Sequence, residues 1–112
     1  MEEGIPRKPY EISTQFVAHR KEVYDYTCDT FGYLQAERYL HKINNAVLTL
    51  PTRYLSYPEC RHISTKNRIY RNIIIDAHLI IYRITPKCIE VLDIIHGAMS
   101  LAKIRNVRKI NL

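Results

Sequence analysis

The chain has 112 residues, 46% of them apolar and 25% charged, with a formal net charge of +6. That length predicts one domain, and such a domain can bury roughly two-thirds of the surface its unfolded form exposes, so a core needs neither disulfide nor metal. No run of 18 apolar residues occurs, so no membrane-spanning helix is expected, and the acidic Met1-Glu2-Glu3-Gly4-Ile5-Pro6 start is not expected to act as a secretory signal.

The charge is unevenly placed. Residues 1–60 carry seven Lys/Arg against eight Asp/Glu, a net of −1, whereas residues 61–112 carry ten against three, a net of +7. A one-sided basic field favours an anionic partner, either nucleic acid or an acidic protein. Three cysteines, Cys28, Cys60 and Cys88, form no CxxC and no Cys/His pair at zinc-ligand spacing. Reduced thiols in a cytoplasmic protein without metal or cofactor are the expectation.

Residues 1–8 read as a loose lead-in, with Gly4, Pro6 and then Pro9 as breakers. Tyr10-Glu11-Ile12 suits a short strand, after which Ser13 or Thr14 can cap a helix. Phe16, Val17, Val23, Tyr24, Thr27 and Phe31 give that helix an apolar stripe, and Gly32 ends it. A second helix carries Ala36, Tyr39, Leu40, Ile43, Val47 and Leu50 at spacings of three and four, and Pro51 stops it. Residues 52–60 read as a loop, followed by a possible edge strand at 61–64. Three strands are expected near 69–75, 78–85 and 88–96, with turns at Asp76-Ala77 and Pro86-Lys87. Neither helix can bury its stripe alone, so the two should form an antiparallel hairpin covered by the sheet. A short basic helix or tail closes the chain from residue 103.

Strict alternation assigns the faces. Ile69, Arg71, Ile73, Ile75, His78, Ile80, Tyr82, Ile84, Ile89, Val91, Asp93 and Ile95 fall on the face expected to meet the helices. Tyr70, Asn72, Ile74, Leu79, Ile81, Arg83, Glu90, Leu92, Ile94 and His96 fall on the other, with Arg83 opposite Glu90. Ile74, Leu79, Ile81, Leu92 and Ile94 would then form an apolar patch of the kind that marks a partner site, unless the C-terminal segment folds back over it. Lys103, Arg105, Arg108 and Lys109 are the candidate contacts to a target or to nucleic acid. Tyr54 and Tyr57, flanked by Arg53 and Arg61, are a candidate exposed stacking pair.

The order of elements resembles the RelE/ParE superfamily of bacterial toxins. The resemblance runs from Tyr10 to about Ile104. It rests on the strand and the helix opening at Ser13, on Ala36-Glu37-Arg38-Tyr39 in the second helix, on Leu79-Ile80-Ile81-Tyr82-Arg83-Ile84, and on Ile89-Glu90-Val91-Leu92-Asp93-Ile94-Ile95-His96-Gly97. Tyr82-Arg83 followed by a strand ending in His96-Gly97 is most similar to the ParE-type plasmid stabilisation branch. The resemblance implies an α+β fold like that of small microbial ribonucleases, with two helices packed on an antiparallel sheet. It implies a toxin of a type II toxin–antitoxin system, silenced by a cognate antitoxin, inhibiting DNA gyrase and meeting operator DNA only through the antitoxin.

Two departures bear on mechanism. Ala98-Met99-Ser100 stand where ParE-like toxins commonly have two basic residues and an acid. The lysines and arginines of the RelE ribonuclease branch fall at or beside Tyr70, Asn72, Leu79 and Met99, and no tyrosine follows Tyr82. Cleaving RNA through its 2′-OH needs a base, an acid and cations on the phosphorane. Arg83, His96 and Arg71 are the residues from which a rearranged ribosome-dependent mRNA endonuclease site could be built. The alternatives are that nuclease and a non-toxic module that binds an antitoxin or nucleic acid.

Overall fold

The computed structural model describes residues 5–99 and 101–112. Strand β1 (Tyr10–Ile12) leads into helix α1 (Thr14–Phe31) and helix α2 (Tyr33–Leu48). A single helical turn, α3 (Leu50–Arg53), precedes strands β2 (Tyr70–Ile75), β3 (His78–Ile84) and β4 (Ile89–His96). Helix α4 (Leu101–Asn106) and a 3-10 turn (Val107–Lys109) finish the chain. The sheet order is β1-β4-β3-β2, with β1 parallel to β4 and the other pairs antiparallel. This is the expected α+β architecture.

Local chemistry explains the helix ends. The Ser13 hydroxyl accepts from the Phe16 amide at 2.9 Å, the N-cap bond expected of serine. Gly32 takes φ 93°, which a side chain would resist, and its amide bonds the Cys28 carbonyl at 2.9 Å. Helix α2 ends at Leu48, earlier than Pro51. Pro51 has no amide to offer the Val47 carbonyl, so the helix breaks at Thr49 and Pro51 opens a separate turn closed by the Arg53 amide on the Thr49 carbonyl.

The lead-in is tied down wherever it is described. Tyr54 donates its phenol proton to the Pro6 carbonyl, and Lys8 reaches the Thr85 and Pro86 carbonyls, each at 2.9 Å. Residues 1–4 lie outside the described residues. Residues 61–64 form no strand, and among the described residues the outer edge of β2 carries one isolated bridge, of Glu59 to Arg71. Tyr54 is buried by the same packing and Tyr57 packs on the core, so they are not an exposed stacking pair.

The β2–β3 hairpin turns through Asp76 at φ 49°, a left-handed conformation that aspartate tolerates better than most residues. Along β3–β4 the register slips. Ile81 faces Asp93 but Tyr82 faces Val91, so Leu92 is an extra residue, a β-bulge. Its carbonyl, turned out of the ladder, accepts the Ser13 hydroxyl proton, while the Ser13 amide bonds the Val91 carbonyl at 3.0 Å. The bulge inverts the faces expected for the end of β4. Ile94 joins Ile80 in the core under the helices, and Ile95 joins Leu79 on the opposite side. Ile69, expected under the helices, also packs on the opposite side.

Two cores result. Phe16, Ile43, Val47 and Leu50 close on Ile73, Ile80, Tyr82, Ile89 and Val91. On the far face, Ile81, Leu92 and Ile95 are covered by Cys60, Ile63, Ile104 and Val107. The C-terminal segment is therefore a third layer. Ile104 and Val107 are 1% and 3% exposed, and each contributes roughly 1.5–3 kcal/mol by burial.

Candidate functional site

The structure separates the three residues from which a nuclease site could be built. Arg83 sits on the far face with four of its five N–H donors committed. Nε donates to Glu90 Oε1 at 2.7 Å, Nη1 to the Tyr70 hydroxyl and the Arg108 carbonyl at 3.2 Å each, and Nη2 to the Ile110 carbonyl at 2.9 Å. The guanidinium thus clamps the C-terminal layer onto the sheet. Arg71 lies on the opposite face and donates to the Tyr57 carbonyl at 2.8 Å and the Leu55 carbonyl at 3.3 Å. His96 pairs with His78 and Glu90 with Arg83. His96 is therefore five strand residues, about 17 Å, from Arg83. These three residues cannot meet one phosphate.

Another group of side chains does converge. A cleft of about 920 Å³ opens between α1, the turn at Asp76-Ala77, the end of β4 and α4. Its apolar lining includes Val23, Tyr26, Phe31, Ile94, Ile95 and Met99. Its polar lining includes three histidines. His19 Nδ1 lies 2.6 Å from Asp93 Oδ1, and Asp93 also accepts from the Ile94 amide at 2.8 Å. Burial raises the Asp93 carboxyl above its ordinary value, and the His19 contact only partly offsets this.

The other two histidines face each other across β3 and β4, with rings edge to face and centroids 5.4 Å apart. The Tyr39 hydroxyl donates to the Ile75 carbonyl at 2.9 Å and lies 2.7 Å from His78 Nδ1. Its single proton is then used, so His78 Nδ1 carries the hydrogen and Nε2 is left as an acceptor. His96 Nδ1 accepts from the Ala98 amide at 3.1 Å, so in the neutral ring Nε2 carries the hydrogen. With both rings neutral, the pair therefore carries one Nε2 acceptor and one Nε2–H donor. Burial, and next the neighbouring His96, hold the His78 pKa below its usual value, whereas Tyr39 is pushed up to about 12, chiefly by burial.

The residues expected to line an antitoxin groove are mostly covered. Ile81 and Leu92 are buried beneath the C-terminal layer, Ile94 is buried under the helices, and Leu79 is half-buried. Ile74 alone of the five is open, at 67% exposure. A cluster of apolar side chains left to solvent lies at the α1–α2 tip, where Tyr26, Phe31, Tyr33 and Leu34 are 63–70% exposed, and Leu48 is exposed farther along α2. Lys103, Arg105, Arg108 and Lys109 are exposed on the C-terminal layer. Ser100 lies outside the described residues, and no group of three or more His, Cys, Asp or Glu that could hold a metal occurs among the described ones.

Sequence reasoning missed the roles of His19, Tyr39, His78 and Asp93. The one available signal was the odd spacing of Glu90 and Asp93 within β4. Strict alternation cannot place both polar residues away from the helices, and that conflict marks the bulge.

Comparison with known proteins agrees with this architecture. The sequence model of the family described as "ParE toxin of type II toxin-antitoxin system, parDE" matches residues 10–101. "Toxin ParE1" of Mycobacterium tuberculosis, in both strain CDC 1551 / Oshkosh and strain H37Rv, is 30% identical over 94 residues, covering 82% of this chain and 92% of the relative. The solved structure titled "Chromosomal ParDE TA system from P. aeruginosa" shares the fold with a TM-score of 0.67 at 15% identity, covering 82% of this chain and 98% of that one. The chain belongs to the ParE family of toxins of type II toxin–antitoxin systems.

Proposed function

We propose that this toxin inhibits DNA gyrase in the cytoplasm and is silenced by a cognate antitoxin, through which alone it meets operator DNA. Family membership supports the gyrase target. The observation that carries the choice against a ribonuclease is the commitment of Arg83. An arginine with four of its five N–H donors spent on Glu90, Tyr70 and two C-terminal carbonyls lacks the free two-pronged edge that would brace a phosphorane. The protein then acts as an inhibitor that engages another protein's DNA breakage and rejoining cycle. Exposed Lys103, Arg105, Arg108 and Lys109 supply the cationic face for an acidic or nucleic-acid surface of that target. No helix among the described residues is long and apolar enough to cross a membrane.

The test is a supercoiling assay with purified gyrase and increasing toxin, with and without the antitoxin. Inhibition with accumulation of cleaved DNA, relieved by the antitoxin, is expected. Unchanged supercoiling at a large molar excess of toxin, together with cleavage of mRNA on ribosomes, would refute the proposal.

A further inference from the structure

The far side of the molecule carries more positive charge than its own acids neutralise. All three acids of residues 61–112 already have a partner: Asp76 has Lys42 at 3.0 Å, Glu90 has Arg83 at 2.7 Å and Asp93 has His19 at 2.6 Å. Six cations of the same stretch are exposed, Arg61, Lys66 and Arg68 in the loop before β2 and Arg105, Arg108 and Lys109 in the C-terminal layer. Among the described residues, none of these six makes an ion pair. The two groups are neighbours, because Ile63 of the loop is buried in one cluster with Ile104 and Val107 of the C-terminal layer. With residues 104 and 107 turned inward, Arg105, Arg108 and Lys109 stand at positions i, i+3 and i+4 and share the outward side.

Both groups sit on fixed backbone. Arg83 holds the Arg108 and Ile110 carbonyls at 3.2 and 2.9 Å. In the loop, the Thr65 amide donates to Glu59 Oε2 at 3.3 Å and the Thr65 hydroxyl accepts from the Ile69 amide at 3.3 Å. The Thr65 carbonyl accepts from the Arg68 amide at 3.2 Å, and Arg68 takes φ 52°. A face ordered in advance loses less freedom when it binds. An acidic protein and a nucleic acid both match such charge, and the rest of the surface decides between them. Among the described residues, no large apolar side chain is exposed within 61–68 or 102–111, although Leu101 and Leu112 flank the second stretch. Protein interfaces centre on aromatic and aliphatic anchors, whereas nucleic-acid backbones are met by Arg, Lys and small polar side chains. Ser64, Asn67 and Asn106 are exposed among the cations. We propose that this face lies along the phosphate backbone of duplex DNA, without reading its sequence, and that the duplex is the one held by the target. The source of the DNA rests on the gyrase reading, and the contact is apart from operator binding through the antitoxin. The loop before β2 is as much a part of it as the C-terminal layer.

The test is fluorescence anisotropy of the purified toxin with a labelled duplex of arbitrary sequence, repeated at several salt concentrations. Six phosphate contacts predict a log–log salt slope of about −5. The loop variant Arg61→Ser, Lys66→Ser, Arg68→Asn should make the slope shallower by about 2.7 and weaken binding about a hundredfold at about 0.1 M salt. Asparagine is used at 68 because it tolerates a positive φ. Lys21→Ser, Arg38→Ser, Lys42→Ser removes the same charge from exposed positions on α1 and α2, across the sheet, and should keep the slope of the parent to within about 0.5. Thermal unfolding of each variant checks that the fold survives, and gyrase supercoiling is assayed with the same preparations.

A parent that binds no duplex at low salt overturns the proposal. So does a folded loop variant that keeps the parent's slope, or a helix variant that loses as much as the loop variant, since net charge alone would then be acting. If gyrase without DNA binds the parent but not the loop variant, and neither binds duplex, the face meets an acidic protein and the proposal is likewise overturned. A parent that inhibits gyrase without binding duplex leaves the gyrase reading intact and sinks only the DNA face. A parent that binds duplex with the expected slope but leaves supercoiling unchanged upholds the DNA face and sinks the gyrase reading.

Discussion

Arg83→Ala separates a clamp from a catalytic group. The Arg83 and Glu90 side chains are 14% and 19% exposed, so the pair is largely shielded from water. Breaking a buried ion pair by deleting one partner costs about 3–5 kcal/mol, because the other charge is stranded. Partial exposure of both groups lowers this to about 2–3 kcal/mol. Unfolding entropy of about 2.1 cal/mol/K per residue gives a chain of this length about 0.24 kcal/mol/K, so the melting temperature should drop by about 10 °C. The loss has a local signature as well. Without Arg83 the Arg108 and Ile110 carbonyls lose the guanidinium that holds them, so amides of residues 101–112 should exchange faster than those of β3 and β4. Arg83→Lys keeps a charge but loses the planar fork, and its effect should be intermediate. Adding Glu90→Ala to Arg83→Ala should recover part of the loss by removing the stranded carboxylate. Thermal unfolding with hydrogen exchange reads all of this. A drop of less than about 3 °C, or C-terminal exchange equal to that of the parent, would refute the clamp.

Three further outcomes follow from burial, charge and register. Leu92→Asp puts a carboxylate where no side chain reaches water, and it should cost more than about 4 kcal/mol and leave little folded protein, whereas Ile74→Asp, at 67% exposure, should change stability by less than about 0.5 kcal/mol; urea unfolding compares the two. Because its folded pKa lies above the unfolded 3.8, Asp93 contributes stability that is complete below about pH 3.8 and is lost as pH rises through the raised value. The stability of the parent relative to Asp93→Asn should therefore decline as pH rises from about 3.8 through the raised value, and a flat difference over that rise would contradict the desolvated carboxyl. Replacing Arg105, Arg108 and Lys109 with serine removes three exposed cations. If these contact DNA in the target complex, the log–log salt slope of binding should become shallower by about 2.7.

How far the sequence specifies this molecule depends on which physical signal each part leaves behind. Helices α1 and α2 were legible because their stripes repeat at three and four residues and a serine and a glycine sit at the ends. The hairpin turns and the Arg83–Glu90 pair were legible because two-residue turns fix register. The C-terminal cover was not, because Ile104 and Val107 sit among Lys103, Arg105, Arg108 and Lys109 and too few apolar positions remain to show a period. Sequence alone therefore left open whether a partner or the C-terminal segment covers the far sheet face, and it is the C-terminal segment that does.

The bulge at Leu92 is the more consequential omission, because the candidate site depends on it. An unslipped β4 would point Ile94 away from the helices and leave the Leu92 carbonyl in the ladder, out of reach of the Ser13 hydroxyl that now accompanies the α1 cap. With the slip, α1 is held against the half of β4 that the three-residue β1 leaves unpaired, and His19 comes within 2.6 Å of Asp93. The same slip brings His96 opposite His78 at the mouth of the cleft. One unpaired residue thus fixes both the entry of α1 and the two walls of the cavity. A variant that restored strict alternation, by deleting Leu92, should lose the Ser13 and His19 contacts together, even though every helix and turn signal in its sequence would remain.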